Sequence, residues 1–399
     1  MTNTARLRTS LAVLLLCATV LPPAAFHAQG ARGRTVAIGD VHGELEGFAA
    51  ILRAAGLVDE QRRWTGGRAR LVQTGDFLDR GAAVREVMDL LMRLDGEARR
   101  AGGRVDVLFG NHEAMNVLHD LRDVSPAAYA AFADRESESR RARAFDVSAA
   151  AARRQGRELD REAWMSSRPL GFVEYVEAIG PSGRYGRWLR ARKVALEAEG
   201  TIFMHAGFPV AAPETVDQIN RTAEREVRAF DDARGALERA GLVGPAAPLQ
   251  ELLDAAGGEL NRIAIMIRDK VEIPPEVTQE YVTRLQALLQ LNTWSLLAPQ
   301  GPLWYRGYAT LPDAASQDVE AALQKRGVRR LVIGHTPMAT ARITPRFGGR
   351  VFLIDTGMLS SHYKGGRPSA LEMEGGRVTA IYTNAREELT PAAPVAAAR

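Results

Sequence analysis

An α/β fold is predicted by three observations. Short apolar runs alternate with amphipathic helical stretches from residue 34 onward, nearly every run ends in a Gly-bounded polar loop, and the composition is that of a globular chain, 46% apolar and 25% charged. Taken in order, TVAI (35–38) reads as a strand, followed by the loop GDVHGEL and an apolar-periodic helix over 45–57. RLVQT (70–74) is the next strand, with GDFLDRGA and a helix over 84–94 behind it. VDVLF (105–109) is the third, followed by GNHEAMNVL. Such spacing indicates parallel β-α-β units buried on both faces. Residues 120–195 lose strand character and read as an Ala/Arg/Glu-rich helical insertion, interrupted by WMSSRPLGF at 164–172. TIFM (201–204) returns as a strand ahead of HAGFP, and a second helical insertion follows at about 213–296. Strands resume at LVI (331–333), VFLID (351–355), SALEME (369–374) and VTAIYT (378–383), the last two close enough to pair antiparallel. One domain, residues 34–383, is thus interrupted twice.

The two ends read differently. Residues 1–28 have the form of a signal peptide: Arg6 and Arg8, the apolar run LAVLLLCATVL at 11–21, Pro22–Pro23, then AAFHAQG. That run is shorter than the roughly 20 residues that span a bilayer, so no membrane span is expected once it is removed. Its removal takes two arginines and no acids, moving the formal charge from +4 to +2. The single cysteine, Cys17, leaves with it, which excludes a disulfide and a catalytic thiol in the processed chain. Export without disulfides points to a periplasmic or secreted protein. Residues 385–399 read as a flexible tail. With 52 basic and 48 acidic residues, nothing calls for nucleic acid as the partner.

Five loops carry the chemistry, each after an expected strand: Gly39-Asp40-Val41-His42-Gly43, Gly75-Asp76-Phe77-Leu78-Asp79-Arg80-Gly81, Gly110-Asn111-His112-Glu113, Met204-His205-Ala206-Gly207 and Gly334-His335-Thr336-Pro337. Loops at the carboxyl ends of parallel strands meet on one rim, so ligands distant in sequence converge. Asp40 and His42 can offer an oxygen and a nitrogen to one metal ion, Asp76 can bridge, and Asn111, His205 and His335 can hold a second ion. A mixed N/O set without sulfur favours Mn, Fe or Zn over Ca or Mg. Two such divalent or trivalent ions activate a shared water for phosphoryl displacement. His112, steadied by Asp79, is the expected general acid, Arg80 a phosphate clamp, and Glu113 a support for the loop. His119 and His362 are expected at the surface or behind the site.

GDVHG, GDFLDRG, GNHE, HAG and GHTP together resemble the metal-binding blocks of the calcineurin-like metallophosphoesterases, and GDxxDRG with GNHE resembles the phosphoprotein phosphatase branch. GPLWYRG (301–307) with IDTGMLSSHYKGG (354–366) is similar to the Shewanella-like protein phosphatases. The resemblance implies a β-sandwich flanked by helices, two bound metals and hydrolysis of phosphomonoesters by an activated water. Carried over by motif, Asp40, His42 and Asp76 resemble the first-metal ligands, and Asp76, Asn111, His205 and His335 the second. His112 with Asp79 looks like the proton-donor pair. Phosphate would be bound by Arg80, Arg306 and Asn111, with Tyr363 bordering the site. Thr336 and Pro337 stand after His335 where many phosphodiesterases of the wider family carry a further histidine, which agrees with the protein-phosphatase branch.

The expected partner is therefore a phosphorylated protein or peptide, or a small phosphomonoester. Two rival readings remain at this level: a nucleotide or dinucleoside-polyphosphate hydrolase, because GHTP endings also occur there, and a non-catalytic binding module that keeps the fold.

Overall fold

The computed structural model describes residues 33–389; the expected signal peptide and residues 390–399 of the expected tail lie outside the described residues. In chain order the body begins β1 (Thr35–Ile38), α1 (Leu45–Ala54), β2 (Arg70–Gln73), α2 (Val84–Arg100), β3 (Arg104–Val107) and α3 (Asn111–Val117). Five helices follow: α4 (Pro126–Ala130), α5 (Ser137–Arg154), α6 (Arg161–Ser166), α7 (Phe172–Ile179) and α8 (Arg184–Arg190). After β4 (Ala195–Ala198) and β5 (Thr201–Met204) come α9 (Val216–Arg239), α10 (Leu249–Arg268) and α11 (Gln279–Leu289). The chain closes with α12 (Gly307–Thr310), α13 (Ser316–Lys325), β6 (Arg330–Ile333), β7 (Thr344–Arg346), β8 (Val351–Leu353), β9 (Ser369–Glu374), β10 (Arg377–Tyr382) and β11 (Ala385–Leu389).

The strands form two sheets, ordered β11-β10-β9-β1-β2-β3 and β4-β5-β6-β8-β7. In the first, β1, β2 and β3 run parallel; in the second, β5, β6 and β8 do. Period-two alternation in the strands explains the stacking. Ala37, Val72, Phe203, Val332, Phe352, Leu371 and Ala380 turn inward and form the layer between the sheets. Val36, Ile38 and Leu71 turn outward onto α1 and α2 through Phe48, Leu52, Leu91 and Leu94. On the other sheet Ile202, Leu331 and Leu353 pack outward against Val319 and Leu323 of α13. The result is a β-sandwich flanked by helices, with the two helical blocks inserted after α3 and after β5.

Residues 385–389, expected in the flexible tail, instead form β11, which pairs antiparallel with β10 from Val378↔Leu389 to Tyr382↔Ala385. The turn before it is read correctly as antiparallel. Gly375 and Gly376, with φ of 58° and 91°, make the two-residue hairpin joining β9 to β10, a turn whose backbone needs two positive φ angles.

Candidate metal centre

The carboxyl ends of β1, β2 and β3 from one sheet and of β5, β6 and β8 from the other deliver their loops to the same place. Expecting a single sheet rim was therefore too simple, since the ligands come from both layers. Among the described residues, two groups hold ligand atoms within 4.8 Å of one another: His42, Asp76 and His112, and Asp76, His205 and His335. All five are buried, and Asp76 is common to both groups.

Backbone geometry sets these side chains. His42, Asp76, Asp79, Arg80 and His335 have φ of 48°, 57°, 66°, 65° and 66°, left-handed conformations that cost of order 1–3 kcal/mol each in a non-glycine residue and cluster at functional sites. Glu113 holds the second loop in that shape. Its buried carboxylate accepts the N–H groups of Asp76, Phe77, Leu78 and Gly110 at 2.7, 3.0, 3.0 and 2.8 Å. Gly110 is required by close approach, since a Cβ there would meet Asp76 Oδ1 at 2.3 Å.

The donor set fits a cation. His42 Nδ1 donates to the Leu78 carbonyl at 2.9 Å, which leaves Nε2 to face Asp76 Oδ2 at 3.7 Å. His205 Nδ1 donates to the Thr74 carbonyl at 3.2 Å. Its Nε2 lone pair then faces three other acceptors: Asn111 Oδ1 at 2.8 Å, His335 Nδ1 at 3.1 Å and Asp76 Oδ2 at 3.3 Å. Converging lone pairs repel one another unless a positive charge lies between them. Burial drives His42 well below its ordinary value and, helped by His205, takes His335 down to about 2, so both rings stay neutral, the form that ligates metal. Burial alone would raise Asp76, but the imidazoles of His205 and His112 outweigh it and hold the carboxylate ionised.

Asp40 reaches the site by a different contact. Its carboxylate accepts the His335 N–H at 3.0 and 3.2 Å and faces Asp355; burial, then the charges of Asp355 and Asp76, raise Asp40 well above its ordinary value, while burial and the charge of Asp76 raise Asp355 to about 6. Asp355 was not singled out from the sequence, although it follows β8 just as Asp40 follows β1. It accepts the Gly357 N–H at 2.9 Å, and its Oδ2 is buried without a hydrogen-bond partner.

His112 and Asp79 form the expected pair, Nδ1 to Oδ2 at 2.7 Å. Burial pulls His112 down, yet the charges of Asp76 and Asp79 prevail and push it up to about 9. Arg80 Nη1 lies 2.7 Å from His42 Nε2 and also donates to the Tyr363 hydroxyl. Arg306, exposed, donates to the His335 carbonyl at 2.9 Å and to Thr336 Oγ1 at 3.1 Å. The two guanidiniums thus sit over histidines of different groups. Two further residues were missed: Asn116, bonded to Asp79, and Tyr175, bonded to Asn116. His119, expected at the surface or behind the site, is buried beneath the second insertion, its Nδ1 on the Ala247 carbonyl at 2.9 Å, while His362 is exposed.

A helix-flanked sandwich with buried His/Asp groups at its strand ends is the architecture of a metal-dependent hydrolase. The chain belongs to the calcineurin-like phosphoesterase family, whose sequence profile matches residues 33–239. It is 30% identical over 332 residues to an uncharacterized protein of Schizosaccharomyces pombe, covering 82% of this chain and 73% of the relative. Shewanella-like protein phosphatase 2 of Arabidopsis thaliana is 48% identical over 92 residues, 23% of this chain and 24% of that one. Shewanella-like protein phosphatase 1 of Plasmodium berghei is 22% identical over 351 residues, 88% and 74% of the two chains. In fold, the chain resembles the cold-active protein-tyrosine phosphatase of a psychrophilic Shewanella species, with a TM-score of 0.56 at 24% identity over 90% of this chain and 81% of that one.

Proposed function

We propose that this chain is a metal-dependent phosphomonoesterase, acting on phosphotyrosine or phosphoserine/threonine in proteins through a water activated by two ions. The observation that carries the reading is one buried carboxylate, Asp76, common to the group His42, Asp76 and His112 and to the group Asp76, His205 and His335, with Asp79 bonded to His112. When bound, two ions of Mn, Fe or Zn supply an activated water and neutralise developing charge. His42, Asp76 and Asp40 are assigned to one ion, and Asp76, Asn111, His205 and His335 to the other. Arg80 and Arg306, with Asn111, orient the phosphate, and Tyr363 borders its entry. As the water oxygen bonds to phosphorus, the bond to the leaving oxygen breaks. His112 gives its Nε2 proton to that oxygen, releasing an alcohol or phenol and inorganic phosphate, and regains a proton from solvent. The signal-like residues 1–28 support a periplasmic or secreted location.

The test is a panel of phosphopeptides, nucleotides and bis-p-nitrophenyl phosphate, run with Mn, Fe or Zn supplied. Phosphopeptides are expected to turn over fastest. Preference for nucleotides would overturn the protein-phosphatase assignment, and absence of turnover with every metal would leave the binding-module reading in its place.

A further inference from the structure

We infer that Tyr175, on the first helical insertion, is a positioning residue for proton donation by His112, acting through Asn116 and Asp79. The inference rests on the phosphomonoesterase reading above. The chain of contacts is short and complete. Tyr175 donates its hydroxyl to Asn116 Oδ1 at 2.6 Å; Asn116 Nδ2 donates to Asp79 Oδ1 at 2.8 Å and to the His112 carbonyl at 2.8 Å; and Asp79 Oδ2 meets His112 Nδ1 at 2.7 Å. Tyr175, Asn116 and Asp79 are all fully buried, so water cannot substitute for a lost partner.

The direction of each bond follows from the inventory of donors. Asn116 spends both amide hydrogens, one on Asp79 and one on the helix carbonyl of His112. Its oxygen is left to accept, and the phenol is the donor that reaches it. Burial raises the Tyr175 phenol well above its ordinary value, which keeps that hydrogen in place. A flipped amide would set its oxygen against the Asp79 carboxylate, so Asp79 selects the orientation and the tyrosine hydroxyl, donating to the oxygen on the far side, holds the amide in place. Both oxygens of Asp79 are then committed, and the imidazole plane is fixed with them. The ring itself is held edge-on by Tyr129 and Phe132, at centroid distances of 5.3 and 5.1 Å. The insertion therefore reaches the reacting proton through three side chains while touching neither phosphate nor metal.

Tyr175→Phe removes the hydroxyl and keeps the ring, so the experiment compares it with the unaltered protein on phenyl phosphate and p-nitrophenyl phosphate. Phenolate needs a proton to leave and p-nitrophenolate does not. The expected result is about a tenfold fall in kcat on phenyl phosphate, less than about twofold on p-nitrophenyl phosphate, with KM and metal content unchanged. Asn116→Ala should give the same leaving-group-selective loss, and the double variant should be no worse than Asn116→Ala alone. An equal fall on both substrates, no fall, or additive losses would overturn the inference while leaving the phosphomonoesterase reading intact. If Tyr175→Phe does not fold, Asn116→Ala decides alone: without a leaving-group-selective loss the link is wrong. An unaltered protein that hydrolyses neither ester takes down the underlying reading first.

Discussion

At the scale of single residues, five of the candidate site residues, His42, Asp76, Asp79, Arg80 and His335, share a left-handed backbone conformation that costs free energy in a non-glycine residue. His112→Asn is expected to lower kcat on phenyl phosphate by about 10²–10⁴-fold while metal analysis finds the ions retained. Asp76→Asn is expected to lose metal itself, since both ligand groups share that carboxylate, and elemental analysis of the purified variant checks it. In the proposed mechanism His112 must carry a proton to act, and the carboxylates of Asp76 and Asp79 hold it up to about 9. Activity should therefore persist through neutral pH and fall on the alkaline side. Removing one supporting charge by Asp79→Asn lowers the His112 pKa, so the fall moves to lower pH in a pH–kcat profile. At this scale the residues that converge were legible because His42, Asp76, His112, His205 and His335 each stand in a Gly-bounded loop after a strand. Asn116 left only a faint signal, one helical turn beyond His112. Tyr175 left none, being 59 positions farther along in a segment with no motif.

Elements were legible in proportion to how much apolar surface they bury. TVAI, TIFM and SALEME coincide with β1, β5 and β9 because their residues are almost wholly buried. The missed strands are edges: β4 is ALEA, β7 is TPR with a proline, and β11 is AREEL with three charges. Edge strands pair through backbone and show water their side chains, so their sequences look like loop. His119 belongs to this scale, since it locks the end of α3 to the second insertion through the Ala247 carbonyl and Phe230. Burial, reinforced by Arg234, takes it down to about 3. The unfolded chain takes up a proton near pH 6.5 and the folded one does not until about 3, so this residue destabilises the fold as pH falls through that window. His119→Asn keeps a donor for Ala247 and tolerates the local φ of 59°. Thermal melts of chelator-treated protein at pH 7 and pH 5 should show a smaller acid loss in that variant than in the parent.

For the whole molecule, the strand-helix rhythm alone suggested one parallel sheet; the sandwich was legible only through the family motifs. Periodicity reports which residues are buried but not which layer covers them, and both faces of β1 are covered, one by helices and one by the second sheet. The candidate metal site joins the two layers, since His205 and His335 follow strands of one sheet and Asp40, Asp76 and Asn111 follow strands of the other. Ion binding should thus stabilise the global fold. Manganese at a hundredfold excess over Kd should add about 3 kcal/mol and raise Tm, and a chelator should reverse it. A melting temperature indifferent to both would mean the sheets need no ion between them.

The two insertions differ in how they are rooted. Helices α4–α8 share one continuous core with the body, through Tyr129, Phe145, Phe172 and Tyr175 beside Val84 and Met88. Helices α9–α11 build a core largely of their own, from Phe230, Leu237, Leu252, Ala256, Leu285 and Leu288, tied to the body through Leu118, through His119 and through Ala223 and Val227 of α9, which reach into the body's core. The second block is accordingly the easier one to exchange between relatives with less disturbance to the body's core. Exchanging the first would tear out part of the hearth along with the roof.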